Sequence, residues 1–288
     1  MNRRDFLWSS STFLVSPSHA QEAPIPAISE YERISRGHIG VYAENLQTGA
    51  KLSWRADERF VMCSTFKASL AACILSRVDR GQDSLEAPIS YAAADIQDWY
   101  APVAKANLTR GSLSVIEMCR AAVEESDNTC ASLLLSRIGG PSALTAFWRK
   151  IGDQVSRLDD QEPFLNRTPA GDPRDTTTPA AMADTLRRLV LGRVLSEPSR
   201  IIFTRWLVGC QTGDNRLRAG LPTNWVIGDK TGNNGKDAAG DIAMVWPKAN
   251  VPIVICVYTR GGAPSDQHFA SAFAGIGRFV GSQLSKGT

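Results

Sequence analysis

The hydrophobic pattern of this chain changes its period twice, and that change restricts the folds open to it. Apolar and polar residues alternate near both ends, which predicts five strands, at residues 39–44, 51–54, 225–229, 242–246 and 253–258. The turn sequence at residues 47–49 joins the first two strands into a hairpin. From about residue 65 to residue 208, apolar residues instead recur at helical spacing. The chain therefore combines strands from its two ends with a helical middle.

These elements predict an α+β fold in which the two ends of the chain meet. Helices are predicted over residues 65–77, 114–124, 129–138, 141–151, 179–191, 197–208 and 265–284. We expect an antiparallel five-stranded sheet flanked by the terminal helices, built from residues 21–57 and 209–288. Residues 58–208 would form an all-helical lobe. A cleft between two such lobes is a usual place for a small-molecule site.

The first twenty residues have the pattern of an export signal. Arg3 and Arg4 precede an apolar stretch at residues 6–15, and Ser18 and Ala20 are small residues at the positions before a cleavage site. The stretch is too short to span a bilayer, and an amphipathic first helix is the alternative. The sequence around the two arginines is similar to twin-arginine export signals. We expect residues 21–288 to be exported to the periplasm or secreted, without a membrane anchor.

Composition excludes several classes of function. The net charge is +3 and there is no basic run, so nothing indicates nucleic-acid binding. The six cysteines include no CxxC pair, which excludes a zinc ribbon or a dithiol redox motif. Outside the predicted signal only His38 and His268 remain, too few for most histidine-rich metal sites. We expect no metal or other cofactor, and a monomeric protein.

A serine and a lysine stand three residues apart at the start of the first predicted helix. Ser64 and Lys67 share one face there, so the lysine lies within reach of the serine hydroxyl. A serine needs a neighbouring base to act as a nucleophile, and a lysine serves when burial and nearby positive charge lower its pKa. The SxxK pattern alone is weak, because about one copy arises by chance in a chain of this length. A helix start with a solvated lysine is the alternative.

Two further short motifs follow in chain order. The sequence SDN at residues 126–128 lies between two predicted helices, where capping alone would explain it. The sequence KTG at residues 230–232 ends a strand, where a turn with an exposed lysine would explain it. The three motifs together, in this order, resemble the set shared by class A serine β-lactamases and penicillin-binding proteins. The resemblance covers about residues 30–284 and implies the same α+β fold.

A long loop at residues 159–177 distinguishes these two families. Glu162 and Asn166 match the ExxLN element of the class A loop, and penicillin-binding proteins lack this glutamate. Such a carboxylate activates the water that hydrolyses the acyl-serine ester. The resemblance therefore implies a serine β-lactamase that hydrolyses penicillins and cephalosporins and confers antibiotic resistance. The alternatives are a D,D-peptidase or penicillin-binding protein, and a penicillin sensor that is acylated without turnover.

The same resemblance implies a role for each motif residue. Ser64 attacks the lactam carbonyl, Lys67 or Glu162 takes its proton, and Ser126 passes a proton to the leaving nitrogen. The other implied roles are an oxyanion hole from the backbone amides of Ser64 and Asn233, a water-holding amide from Asn166, and substrate contacts from Asn128, Lys230, Thr231 and Gly232.

Two further positions match substrate-binding residues of relatives. Arg216 matches the arginine that many relatives place before the KTG strand to bind the substrate's carboxylate. Tyr100 matches the aromatic wall of the cleft, and a surface aromatic before a turn is the alternative.

The cysteines depart from the pattern of relatives. Cys63 precedes the nucleophile, as in some carbapenem-hydrolysing relatives, but the position of their partner cysteine is Asn234 here. Cys119 matches one end of another bridge whose partner position is Ala71, and Cys73 lies two residues further along the helix. The disulfide of those relatives therefore cannot form here, which removes that argument for carbapenem hydrolysis, and we assign no other disulfide.

A third departure lies at the neck of the long loop. Relatives pair an arginine with an aspartate at the positions of Asp160 and Asp175, and two carboxylates there would repel or share a proton. We expect another cation to replace the missing one, because Glu162 must be held within reach of its water. The arginines nearby in the sequence are Arg157, Arg167 and Arg174. A looser neck that admits cephalosporins with bulky side chains is the alternative.

Overall fold

The computed structural model describes residues 25–97 and 99–285, so the predicted export signal lies outside the described residues. The helices are α1 (Pro26–Ser35), α2 (Phe66–Val78), α3 (Pro102–Ala106), α4 (Val115–Glu124), α5 (Asn128–Ile138), α6 (Pro141–Ile151), α7 (Pro179–Leu191), α8 (Glu197–Val208) and α9 (Asp266–Gln283). The strands are β1 (His38–Asn45), β2 (Lys51–Trp54), β3 (Phe60–Val61), β4 (Pro88–Ser90), β5 (Ser112–Ser114), β6 (Thr176–Thr177), β7 (Val226–Asn233), β8 (Ala239–Trp246) and β9 (Ile253–Arg260). Short 3-10 turns cover Cys63–Thr65, Ala93–Asp95, Phe164–Asn166 and Leu217–Gly220.

Five strands form one antiparallel sheet in the order β2-β1-β9-β8-β7. The N-terminal hairpin joins the C-terminal strands through β1 and β9, which pair from His38 opposite Arg260 to Asn45 opposite Ile253. The two ends of the chain therefore meet inside the sheet. The predicted α+β class, with its antiparallel five-stranded sheet, is confirmed.

The sheet separates two hydrophobic cores. On one face it packs against α1 and α9, with Ile28, Val41 and Phe273 among the fully buried side chains. On the other face it packs against the helices of the middle of the chain, where every residue of α2 from Phe66 to Ser76 is buried. The start of α2 thus lies where the helical body meets the sheet, and this position is the one that the functional motifs occupy.

Several element boundaries differ from the sequence prediction. The helices α6, α7 and α8 have the predicted bounds, whereas β7 runs on to Asn233 and so contains the whole KTG motif. Terminal helices were expected beside the sheet, but no bounds were predicted for α1, and α3 was not predicted. Two short antiparallel pairs, β3 with β6 and β4 with β5, were also not predicted. No helix in the described part of the chain is long and apolar enough to cross a membrane.

Candidate active site

The predicted nucleophile lies in the tight turn that leads into α2. Ser64 is the middle residue of the 3-10 turn, and Cys63 before it has a φ of 46°, which is unfavourable for a residue with a side chain. The Thr65 hydroxyl fixes the turn, because it donates to the Met62 carbonyl at 2.8 Å and contacts the Tyr258 hydroxyl at 2.9 Å. The turn therefore anchors Ser64 to the sheet at one side and to α2 at the other.

Gly232 allows the KTG strand to approach this turn closely. A Cβ atom at this position would lie 2.8 Å from the Met62 carbonyl oxygen and 2.9 Å from the Ser64 amide nitrogen. Both neighbours are backbone atoms, so a larger residue would push the strand away from the nucleophile. The close approach brings the amide of Ser64 beside the end of β7, where Asn233 follows Gly232.

Lys67 is fully buried one residue into α2 and is surrounded by acceptors. Its Nζ donates to the Ser126 carbonyl at 2.8 Å and to Asn128 Oδ1, and it lies 3.8 Å from Glu162 Oε1. Burial and the nearby Lys230 together lower the pKa of Lys67 to about 8, against the opposing effect of Glu162. The ammonium group therefore holds together the SDN segment and the long loop.

Ser126 lies between the two lysines of the site. Its backbone adopts a left-handed conformation with a φ of 59°. The hydroxyl accepts from Lys230 Nζ at 3.0 Å and lies 3.5 Å from Lys67 Nζ. Burial lowers the pKa of Lys230. Asp127, the middle residue of the SDN motif, caps α5 and accepts from the amides of Val103 and Ala104.

Glu162 and Asn166 lie together on the inner side of the long loop. The side chain of Glu162 is only 3% exposed, and its Oε2 accepts from Asn166 Nδ2 at 2.6 Å. A cis peptide bond joins Glu162 to Pro163. Two buried acceptors in this pair, Glu162 Oε1 and Asn166 Oδ1, have no hydrogen-bond partner. The pair therefore has hydrogen-bonding capacity left for a small polar molecule.

These side chains line a cleft of about 200 Å³. Its lining consists of Ser64, Trp99, Tyr100, Ser126, Asn128, Glu162, Asn166, Thr212, Arg216, Thr231, Gly232 and Asn233. Tyr100 forms one wall and is 49% exposed. Trp99 and Thr212 were not predicted from the sequence. The position of Trp99 next to Tyr100 was a signal that could have found it. No motif marked Thr212, whose hydroxyl lies 2.5 Å from that of Thr231.

Arg216 reaches the cleft from outside the sheet. Its guanidinium lies over the ring of Phe273, with 4.9 Å from Cζ to the ring centroid. Nη1 donates to the Gly240 carbonyl at 3.2 Å and to the Gly232 carbonyl at 3.4 Å. Arg218 is engaged elsewhere, since it forms an ion pair with buried Asp229 at 2.5 Å. Of these two arginines, Arg216 is the one that borders the cleft.

The neck of the long loop is closed by backbone amides. Asp175 Oδ1 accepts from the amides of Asp159 at 2.8 Å and Asp160 at 2.9 Å. Arg157 pairs with Asp159, and Arg174 pairs with Asp172 and lies 3.8 Å from Asp160. In the described part of the chain no arginine forms an ion pair with Asp175. The prediction that another cation pairs with Asp175 is therefore wrong.

All six cysteines are buried and free, including Cys63, Cys73 and Cys119. The sequence excluded only a bridge from Cys63 to the position of Asn234 and left the state of the other cysteines open, and in the structure all are free thiols. Within the described residues, no group of three or more histidine, cysteine, aspartate or glutamate side chains is arranged to hold a metal ion.

A serine in a tight turn, two buried lysines and a loop carboxylate lie between a helical body and an antiparallel sheet, an arrangement that fits a serine acyl-transfer enzyme. Comparison with known proteins shows the family to which the chain belongs. Residues 24–284 match the profile of the β-lactamase enzyme family. The chain is 44% identical to β-lactamase L2 of Stenotrophomonas maltophilia, over 94% of this chain and 89% of that protein. It is 45% identical to the carbapenem-hydrolysing β-lactamase KPC of Klebsiella oxytoca, over 85% and 83%.

Solved structures agree with these relatives. An ancestral class A β-lactamase is 50% identical and superposes with a TM-score of 0.84, covering 88% of this chain and 96% of that one. A β-lactamase from Xanthomonas campestris is 43% identical with a TM-score of 0.86, covering 90% and 96%. The chain belongs to the β-lactamase enzyme family, and within it to the class A serine enzymes. Its activity is therefore hydrolysis of β-lactams.

Proposed function

We propose that Ser64 forms the acyl-enzyme and that Glu162 activates the water that hydrolyses it. The observation that carries this assignment is the buried pair of Glu162 and Asn166, in which Oε1 of the first and Oδ1 of the second are unpartnered acceptors. A water molecule donating to both would satisfy them, as buried waters commonly do. The carboxylate would then take a proton from that water as it attacks the ester.

For acylation we propose that Lys67 acts as an ammonium group and that Glu162 is the base. Lys67 Nζ donates to the Ser126 carbonyl and to Asn128 Oδ1, and both acceptors favour the charged form. Ser126, which accepts from Lys230 Nζ at 3.0 Å, would pass a proton to the leaving lactam nitrogen. The neutral Lys67 acting directly on Ser64 is the alternative.

The remaining assignments concern charge on the substrate. The backbone amides of Ser64 and Asn233 would stabilise the oxyanion, supported by the close approach that Gly232 permits. Lys230, Thr231 and Arg216 would bind the substrate's carboxylate, and Asn128 its amide side chain. Tyr100, with half of its surface exposed, would form the wall of the cleft.

We propose that the enzyme is a monomer and that its substrates are penicillins and cephalosporins. One relative is named for carbapenem hydrolysis, but Cys63 is a free thiol here, so the disulfide argument for that activity is absent. An assay with a penicillin, a cephalosporin and a carbapenem determines the range. The pattern of residues 1–20 supports export to the periplasm by the twin-arginine route.

The central assignment is tested by trapping the ester. Glu162→Gln should still react with a penicillin at Ser64 during a long incubation, because the nucleophile and the oxyanion hole are intact. Its acylation should be slow without the proposed base, and water attack on the ester should fail. Intact-protein mass spectrometry should then show a persistent adduct with the mass of the whole substrate. Ser64→Ala is the matched control and should show no adduct. A Glu162→Gln enzyme that is recovered unlabelled, or that turns over like the wild type, would contradict the assignment.

A further inference from the structure

Two buried aspartates lie side by side on the two strands nearest the cleft. Asp229 is on β7 and Asp241 is on β8, and both side chains are inaccessible to solvent. In the strand register Asp229 is opposite Ala243 and Asp241 is opposite Thr231, so the aspartates are diagonal neighbours on one face of the sheet. Each retains one oxygen without a hydrogen-bond partner, Asp229 Oδ2 and Asp241 Oδ1.

The two carboxyl groups have unequal partners. Asp229 Oδ1 accepts from Arg218 Nε at 2.6 Å and forms an ion pair with Arg218 Nη2 at 2.5 Å. Asp241 Oδ2 accepts only from the Leu217 amide at 3.1 Å, and among the described residues no cation lies within 4.0 Å of it. An ionised carboxylate that is buried without an ion pair is strongly unfavourable, whereas a protonated one is tolerated. Asp229 thus fits the ionised form and Asp241 the neutral form.

The charged groups around Asp241 act in both directions. Burial raises the pKa of Asp241 well above its usual value, the charge of Asp229 raises it further, and Arg216 and Arg218 lower it. The titratable and charged groups that interact with it from the neighbouring strands and the Leu217–Gly220 turn are Asp229, Lys230, Cys256, Tyr258, Arg216 and Arg218. The pKa of Arg216 is itself lowered by burial, and Asp241 is the main group that opposes this.

Arg216 is placed so that the protonation of Asp241 matters to it. Its Nη1 donates to the carbonyl of Gly240, the residue before Asp241, and the Asp241 carboxyl holds the next amide after Arg216, that of Leu217. An ionised Asp241 would offset the positive charge of the Arg216 guanidinium from within the protein. A neutral Asp241 keeps the hydrogen bond to Leu217 without competing for the charge.

We propose that Asp241 is protonated at neutral pH beside an ionised Asp229, and that it is a positioning residue that leaves the charge of Arg216 free for the substrate's carboxylate. The positioning role rests on the proposed function of Arg216 in binding the substrate, whereas the protonation state of Asp241 does not. A substitution that fixes Asp241 in a neutral, nearly isosteric form should therefore preserve function.

The test uses Asp241→Asn, with Asp229→Asn as the matched control. Infrared spectroscopy of the wild type at neutral pH should show the carbonyl stretch of a buried protonated carboxyl group, and Asp241→Asn should lack it. A pH-difference spectrum of the wild type supplies the same readout if the variant does not fold. Absence of this band, or its survival in Asp241→Asn, would overturn the proton assignment.

Kinetics test the positioning role separately. For a penicillin at neutral pH, KM of Asp241→Asn should stay within about twofold of wild type. As pH rises, KM of the wild type should increase where Asp241 ionises, whereas KM of Asp241→Asn should not follow. Asp229→Asn should lower the melting temperature instead, because it removes the buried carboxylate that pairs with Arg218. A loss in Asp241→Asn as large as that in Arg216→Ala would overturn the positioning role, even with the infrared band present.

Discussion

The charge of one residue, Lys67, decides between the two routes to acylation. Its pKa of about 8 means that the ammonium form prevails at neutral pH and is lost as pH rises through that value. The charged form donates to Ser126 and Asn128, and it would lose hydrogen bonds on deprotonation. The ammonium form is thus part of the site's architecture, and a pH profile reports its role.

We expect kcat/KM for a penicillin to fall as pH rises through about 8, because the proposed mechanism needs protonated Lys67. Rapid-mixing measurements of acylation between pH 5 and 10, approximately the range that brackets this pKa, give the profile. Glu162→Gln serves as the control, since it lacks the proposed base and its acylation should be slow across this whole pH range. A rate that instead rises through pH 8 would assign the base to neutral Lys67.

The two arginines before β7 are close in sequence but differ in function. Arg216 borders the cleft, whereas Arg218 is bound to Asp229 and to the carbonyls of Leu207 and Val208. A guanidinium that holds the substrate's carboxylate contributes about 1.5–3 kcal/mol. Arg216→Ala should therefore lower kcat/KM about tenfold to a hundredfold.

Arg218→Ala is the matched control for this change. It should lower the melting temperature, because it leaves the buried Asp229 carboxylate without its cation, and it should change kcat/KM much less than Arg216→Ala does. Steady-state kinetics and thermal unfolding of both variants separate the two effects. Arg216→Ala with wild-type kcat/KM would transfer carboxylate binding to Lys230 alone.

At the scale of the element, the long loop is held by a carboxylate that has lost its usual partner. Asp175 has a left-handed backbone with a φ of 56° and accepts two backbone amides, and Thr168 donates to its other oxygen at 3.2 Å. Burial raises the pKa of Asp175, and the charge of Asp160 raises it further. Asp160 therefore supplies a useful amide but an unfavourable charge.

We expect Asp160→Arg to stabilise the protein by up to about 1 kcal/mol, or a few degrees in melting temperature, because it replaces the unfavourable charge and keeps the amide. Asp160→Asn is the control and should give part of the gain. Since the pKa of Asp175 is raised in the fold, the stability that this group contributes is present at low pH and lost as pH rises. At low pH Asp175 is protonated and no longer repels Asp160, so the stability gained by Asp160→Arg should shrink on acidification. An unchanged or lower melting temperature would show that Asp160 is already compensated.

The sequence predicted best those elements that carry their own boundary signals. The helices α7 and α8 begin where a capping Thr178 or Ser196 precedes a proline in the first turn, and their ends also agree with the structure. The motif residues were found instead because three short motifs occur together in a fixed order and resemble those of a known family. The neck of the loop was not predictable, because Asp175 is satisfied by amides that only the tertiary fold brings to it. The same holds for the pairing of β3 with β6.

At the scale of the whole molecule, the site is built where two cores meet. Lys67 and Lys230 are both fully buried, one on α2 and one on β7, and Ser126 joins them. Two cations in such a place are unfavourable for folding, and the large helical core around α2 must offset them. Four of the six cysteines, Cys73, Cys119, Cys130 and Cys256, lie in this continuous core, so their redox state bears on the stability of the whole protein.

Burial raises the pKa of all six thiols, so the reactive thiolate is scarce in the folded state. With every cysteine free, the melting temperature should be the same with and without a reductant. A thiol reagent should titrate six groups after denaturation and few before it. A disulfide would instead contribute about 2–5 kcal/mol, so reduction would lower the melting temperature by several degrees. Cys73 and Cys119, which share the helical core, are the pair to examine in that event. Cys119→Ala would abolish the effect of reductant if they were bridged, and would leave it absent if the thiols are free.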